Sequence, residues 1–225
     1  MSKMTQEERN AIVRKRMLDL QKMTVLPMPP DSPFVKPLRL FYTQDGREKI
    51  WDIIRTHDAV YIIIFNITRK KLIFVRQFRP SVYFAAAQEK LDEIDVKKYP
   101  ATLGLALELC AGIVDKKISL VEIAREEVIE ECGYEAPNSA FEKVNSYRSG
   151  VGDTSSTQTL FYVEVTDDML THPGGGAESE GELIEVVEMS VEEVKDYINS
   201  GKVESPTSFL YGVTWFLANK QDRYL

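Results

Sequence analysis

Seven consecutive apolar residues, Ala59-Val-Tyr-Ile-Ile-Ile-Phe65, restrict this chain more than any other segment. A membrane helix needs about 20 such residues, so the run cannot span a bilayer. It is rich in β-branched side chains and reads as a strand buried on both faces. Layers must therefore cover it from either side. Residues 59–67 and Lys71–Phe78 form a hairpin across a turn at 66–70. Upstream, residues 38–43 and 49–54 flank Asp45-Gly46, a strong short hairpin signal. Residues 105–110, 142–147, 157–165 and 183–189 complete the strand set. Three helices follow. Ser119 with Glu122 is a capping box that opens a helix through Cys132, closed by Gly133. Ser190 with Glu193 opens a second, to about Asn199. Ser205-Pro206 opens a third, with proline at the first helical position, and Phe209, Leu210, Val213, Phe216 and Leu217 recur on one face. Mixed strands followed by helices, without regular β-α alternation, point to an α+β fold or a helix-sheet-helix sandwich.

The first 34 residues have a different texture. Residues 4–23 could form a helix, with Ile12, Val13, Met17 and Leu20 near helical spacing and Arg14-Lys-Arg16 as a basic centre. Glu7, Glu8 and Asp19 argue against a targeting peptide, so a solvated or subunit-packed helix is expected. Pro27, Pro29, Pro30 and Pro33 read as an extended linker. The expected organisation is an arm over 1–34 and a domain over 35–225. That domain includes an N-terminal hairpin at 35–56 and a weakly patterned insertion at 84–104, a short helix over a site. Gly174-Gly-Gly176 opens a mobile segment. Charge supplies an exclusion: 28 Lys+Arg against 35 Asp+Glu gives −7. A nucleic-acid binder should carry a basic face instead. Cys110 and Cys132 cannot form a disulfide framework and suit a reducing compartment, the cytoplasm.

The sharpest chemical feature is Glu126-Glu-Val-Ile-Glu-Glu-Cys-Gly133. On an α-helix, residues three and four apart face the same way, so Glu127, Glu130 and Glu131 share one edge. Carboxylates held together on a packed helix repel one another, and hard divalent cations are their natural compensation. A solvated acidic face is the competing reading. Residues 112–134 hold six acids against three bases, close to half the surplus of the chain.

Read in full, that segment resembles the Nudix box, with Gly112, Glu127, Val128, Glu130, Glu131, Gly133 and Tyr134 on pattern positions. Two positions depart from it: Ile118 replaces the first family glutamate, and Glu126 the family arginine, with Arg125 one place earlier. Val75-Arg-Gln-Phe-Arg-Pro80 and Glu108-Leu-Cys-Ala-Gly112 are similar to the ADP-ribose and nucleoside-diphosphate-sugar branch of the family. Tyr147-Arg-Ser-Gly-Val-Gly-Asp-Thr154 is similar to its substrate loop, and residues 174–186 to its loop bearing a late catalytic glutamate. The overall pattern resembles that of the animal UDP-sugar pyrophosphatases of this family.

The resemblance implies a Nudix fold, an α/β/α sandwich around a mixed sheet with an additional N-terminal antiparallel sheet. It implies Mg²⁺ as cofactor, with Mn²⁺ as substitute, held by the Ala111 carbonyl, Glu127 and Glu131 with Glu130 and Glu182 contributing. Glu180 would be the base, with Glu130 and Glu127 also in the catalytic set; Glu180 and Glu182 could exchange roles. On an extended segment these two would point the same way. Arg79, Gly150 and Gly152 would bind substrate. The implied reaction is cleavage of UDP-glucose to UMP and glucose 1-phosphate. ADP-ribose is the alternative substrate, and a non-catalytic nucleotide-sugar sensor the alternative class. The partner is a small nucleotide sugar, with neither nucleic acid nor membrane. Related enzymes pair through N-terminal strands, so residues 38–54 would form a homodimer.

Overall fold

The computed structural model describes residues 4–32, 34–87 and 93–223. The arm contributes α1 (Gln6–Met17) and β1 (Met23–Thr24). Next come β2 (Lys36–Gln44), β3 (Arg47–Arg55), β4 (Ala59–Asn66), β5 (Lys71–Phe78), α2 (Pro80–Ala87), β6 (Glu93–Ile94), β7 (Leu105–Glu108) and β8 (Cys110–Ile113). Then follow α3 (Leu120–Glu127), a π-turn (Val128–Cys132), β9 (Glu142–Arg148), β10 (Thr157–Val165), β11 (Glu185–Ser190), α4 (Val191–Ile198) and α5 (Thr207–Asn219). Among the described residues no helix is long and apolar enough to cross a membrane.

The apolar run is β4, at the centre of a mixed sheet ordered β11-β5-β4-β10-β9. It pairs parallel with β10 and antiparallel with β5. Its side chains alternate between two cores, as a doubly covered strand requires. Val60, Ile62 and Ile64 pack with Ile123, Ala124 and Val128. Ile63 and Phe65 pack with Val194, Phe209, Val213 and Phe216 on the other side. All of these are fully buried. The architecture is thus the mixed α+β sandwich the sequence implied, with helices over both faces and a separate antiparallel pair, β2-β3.

Three expectations need correction. The strand expected over 105–110 is two strands. β4 pairs with β5 only over Ile64–Asn66, and beyond that the two need other ladder partners. Residues 105–113 supply both, first pairing with β5 as β7 and then, after Leu109, with β4 as β8. Pro206 is the cap of α5 rather than its first helical residue. The third concerns the insertion. Its helix, α2, begins at Pro80, and residues 88–92 of the insertion lie outside the described residues. The rest does not lie loose over a site. Tyr83, Ala87 and Ile94 form a small core with Leu20, Met23, Val25, Phe78 and Tyr99, and β1 pairs with β6. Arm and insertion therefore bury each other.

α1 is opened by a capping box at Thr5 and Glu8 that the sequence pattern contained. Its docked face keeps Met17 of the expected apolar set but not Ile12. Ile12 is 49% exposed, whereas Met17 is 5% exposed, and Asn10 and Arg14 carry the contacts to the domain.

Candidate active site

The carboxylate helix starts on the Ser119–Glu122 capping box and runs as α-helix only to Glu127. Its last turn widens into the π-turn, a local expansion common at functional sites. Helix ends leave carbonyls without intrahelical donors. Here the following loop supplies them. Gly175 N–H donates to the Glu131 carbonyl (2.8 Å), Gly176 N–H to that of Glu130 (3.1 Å), and Thr171 and His172 N–H to that of Gly133 (3.2 and 3.1 Å). Gly133 turns the chain at φ +82°, and a Cβ there would sit 2.4 Å from the His172 carbonyl oxygen. The glycine-rich stretch expected to be mobile is thus bonded to the helix end, and it brings the acidic loop to the glutamates.

Glu131 is 4% exposed, and its Oε2 accepts the Ala111 N–H at 3.0 Å. Burial pushes its carboxyl up to about 8, against the stabilising Cys110 thiol and Ala111 N–H. Glu127 lies over Gly112, so closely that a Cβ at residue 112 would come 2.1 Å from its Oε1. Any side chain at 112 would evict it. Burial and then the Glu130 charge raise Glu127 to about 7, while Lys116 opposes this. Glu130 is raised by burial, then by Glu182 and Glu180. Both acidic-loop glutamates therefore act on Glu130 through their charge, though not from an extended segment. Residues 178–180 form a 3₁₀ turn ended by Gly181 at φ +77°, and Glu182 folds back to accept the Ala177 N–H at 2.9 Å. Among the described residues no three acidic, histidine or cysteine side chains stand close enough, as placed, to hold an ion. What the structure brings together is a set of carboxylates whose charge is undercompensated.

The cations nearby are specific. Lys116 pairs with Glu126 at 2.6 Å, so the glutamate at the family arginine position is neutralised from the preceding loop. Arg125 turns away to the Ala136 carbonyl (3.1 Å) and Glu135 (2.8 Å). Arg79 follows β5 at the end of the sheet where Ala111 and Gly112 sit. It is held in a bidentate pair by the buried Glu108, at 2.6 and 2.7 Å. Sequence reasoning missed Glu108 as this anchor and Lys116 as a counter-charge, since neither spacing nor periodicity marks a pair formed across a sheet or a loop. Gly150 and Gly152 lie in the β9–β10 loop, which bonds to the hairpin: Trp51 Nε1–H to the Gly152 carbonyl and Ile54 N–H to that of Asp153, both 2.6 Å.

No family model matches the chain. Individual proteins do. Uridine diphosphate glucose pyrophosphatase NUDT14 of Bos taurus is 41% identical over 199 residues, 83% of this chain and 90% of the relative. The Mus musculus protein of that name is 40% identical over 200 residues, with the same coverage. GDP-mannose pyrophosphatase of Salmonella typhimurium is 27% identical over 175 residues, 75% of this chain and 82% of the relative. The chain belongs to the Nudix hydrolase family, in its nucleoside-diphosphate-sugar pyrophosphatase branch.

Proposed function

We propose that this protein hydrolyses the diphosphate bond of nucleoside diphosphate sugars, cleaving UDP-glucose to UMP and glucose 1-phosphate with Mg²⁺ as cofactor. The observation that carries this is the 41% identity to a uridine diphosphate glucose pyrophosphatase over 83% of the chain, a span that must include the carboxylate helix. The donor chemistry fits the ion: carboxylate and carbonyl oxygens are the ligands a hard divalent cation takes. The Ala111 carbonyl, Glu127 and Glu131 would hold it, with Glu130 and Glu182 contributing. When bound, Mg²⁺ supplies positive charge against the phosphate oxygens and makes a water more acidic. Glu180, exposed at the tip of the acidic loop, takes the proton from the attacking water. Arg79 is fixed in orientation by Glu108 and keeps N–H donors for the diphosphate. Gly150 and Gly152 let substrate approach the loop backbone closely. The two buried thiols, Cys110 and Cys132, are free, which supports a reducing compartment such as the cytoplasm.

The test is a product assay across UDP-glucose, ADP-ribose and GDP-mannose, ranked by kcat/KM. UMP release from UDP-glucose that depends on Mg²⁺ and stops with chelator is the expected result. Binding without turnover would leave a sensor, and a preference for ADP-ribose would change the substrate.

The β2-β3 hairpin supports a homodimer. A two-stranded hairpin is marginal alone, yet this one exposes Leu38, Leu40, Phe41, Tyr42, Ile50, Trp51 and Ile54 to between 39 and 74%. Phe41→Asp is expected to convert a dimeric mass in light scattering to a monomeric one at micromolar concentration. A monomeric mass for the unsubstituted protein would remove the proposal.

A further inference from the structure

The N-terminal arm lies against β11 and the acidic loop through Asn10, Arg14 and Met17 at helical spacing, and through exposed Arg16, 3.7 Å from Glu178. The Asn10 amide pairs with both main-chain groups of Val186, donating to its carbonyl at 2.8 Å and accepting its N–H at 3.2 Å. It thereby occupies the free edge of β11, as a strand would. Arg14 reaches 2.5 Å from Glu185. That carboxylate is fully buried, and neither of its oxygens receives a hydrogen bond among the described residues. Its compensation is ionic, from Arg14 and from Arg76 at 3.7 Å on the neighbouring strand. Met17 lines a cavity of about 230 Å³ together with Gln77, Phe78, Gly181 and Glu182. The arm thus forms one wall of a cavity that Glu182 also lines.

A buried carboxylate with so few partners is costly and is retained only with its counter-charge in place. Glu185 opens β11, three residues after Glu182. Whatever holds the start of β11 on the sheet decides where the acidic loop leaves it. We propose that α1 is a positioning strap for the loop bearing Glu180 and Glu182, with Arg14 and Asn10 acting through Glu185 and Val186. This rests on reading those two glutamates as part of the reaction centre. Loss of Arg14 leaves Glu185 to seek water, loosening the first residues of β11. Displacements of about 1 Å at a reaction centre cost up to about 10²-fold in rate.

The chain with its arm intact tests this. Arg14→Gln is expected to lower kcat for UDP-glucose about 10- to 100-fold with KM changed less than about twofold. Adding Glu185→Gln, which removes the buried charge, should restore most of the loss, while Lys15→Gln on the same helix should leave kcat unchanged. Hydrogen exchange gives a readout independent of turnover. In Arg14→Gln, amides of residues 175–184 should exchange faster while those of β4 stay protected. Unchanged kcat and exchange would overturn the strap, as would a loss of protection that spreads to β4, which marks general destabilisation. If the unsubstituted protein turned over no nucleotide sugar, the proposed function would fall, and the exchange comparison would still decide whether the arm orders the loop.

Discussion

Glu131→Gln is expected to lower kcat/KM for UDP-glucose by on the order of 10²–10³-fold while making the metal-free protein no less stable. The two effects have one cause. Glu131 is the most buried of the helix glutamates, and its charge is the expensive part of it. The amide keeps the shape and an oxygen to accept the Ala111 N–H, but it cannot bring a negative charge to a cation. Activity and stability should therefore move in opposite directions, as they do where a site holds charge against the preference of the fold. Kinetics with saturating Mg²⁺, paired with thermal melts in chelator at pH 8, measure both. Full turnover in this variant would remove Glu131 from the proposed metal set.

Metal-free protein is expected to lose stability steadily between about pH 5 and pH 8. The sign follows from the raised carboxyls. Glu131 titrates at about 8 and Glu127 at about 7 in the folded state, against 4.5 as ordinary glutamates. In that window the folded chain holds protons that the unfolded chain has released, so each rise in pH favours unfolding. The stabilising effect of protonation is complete below about 4.5 and lost as pH passes the folded values. A tenfold difference in proton affinity between folded and unfolded chain is worth about 1.4 kcal/mol. Melting temperature against pH in chelator reads this directly. The double variant Glu127→Gln/Glu131→Gln should flatten the curve. Added Mg²⁺ should raise the melting temperature more at pH 8 than at pH 6, because a ligand selective for the folded form competes there with fewer protons. A flat profile for the unsubstituted protein would show that the glutamates are not held against one another.

The sheet and its two cores were legible because they rest on local pattern. Residues 59–65 declare a doubly covered strand, and α5 declares its buried face through Phe209, Val213 and Phe216. The carboxylate cluster was legible through its spacing. What stayed hidden depends on partners distant in sequence. The split at Leu109 arises from the divergence of β4 and β5. The π-turn arises from carbonyls that Gly175 and Gly176 satisfy from a loop far downstream. β1 and β6 are two residues each, too short for any period to show. The arm was opaque for a further reason. Its docking stripe joins an amide and a guanidinium to Met17, and a search for apolar spacing finds Met17 together with the exposed Ile12 but not Asn10 or Arg14.

The Asn10–Val186 contact spans 176 residues. Helix α1 therefore has no place to settle until a strand far downstream is in the sheet. Closing so long a loop is slow compared with forming the local hairpins and helices between them. β1 can meet the insertion early, but α1 stays undocked until β11 is made, and its ion pair with Glu185 is among the late events of folding. A chain cut short before residue 174 lacks the acidic loop, the donors to the Glu130 and Glu131 carbonyls and the strand edge that seats α1. Assembly of the reaction centre is in this way deferred until β11 has been made.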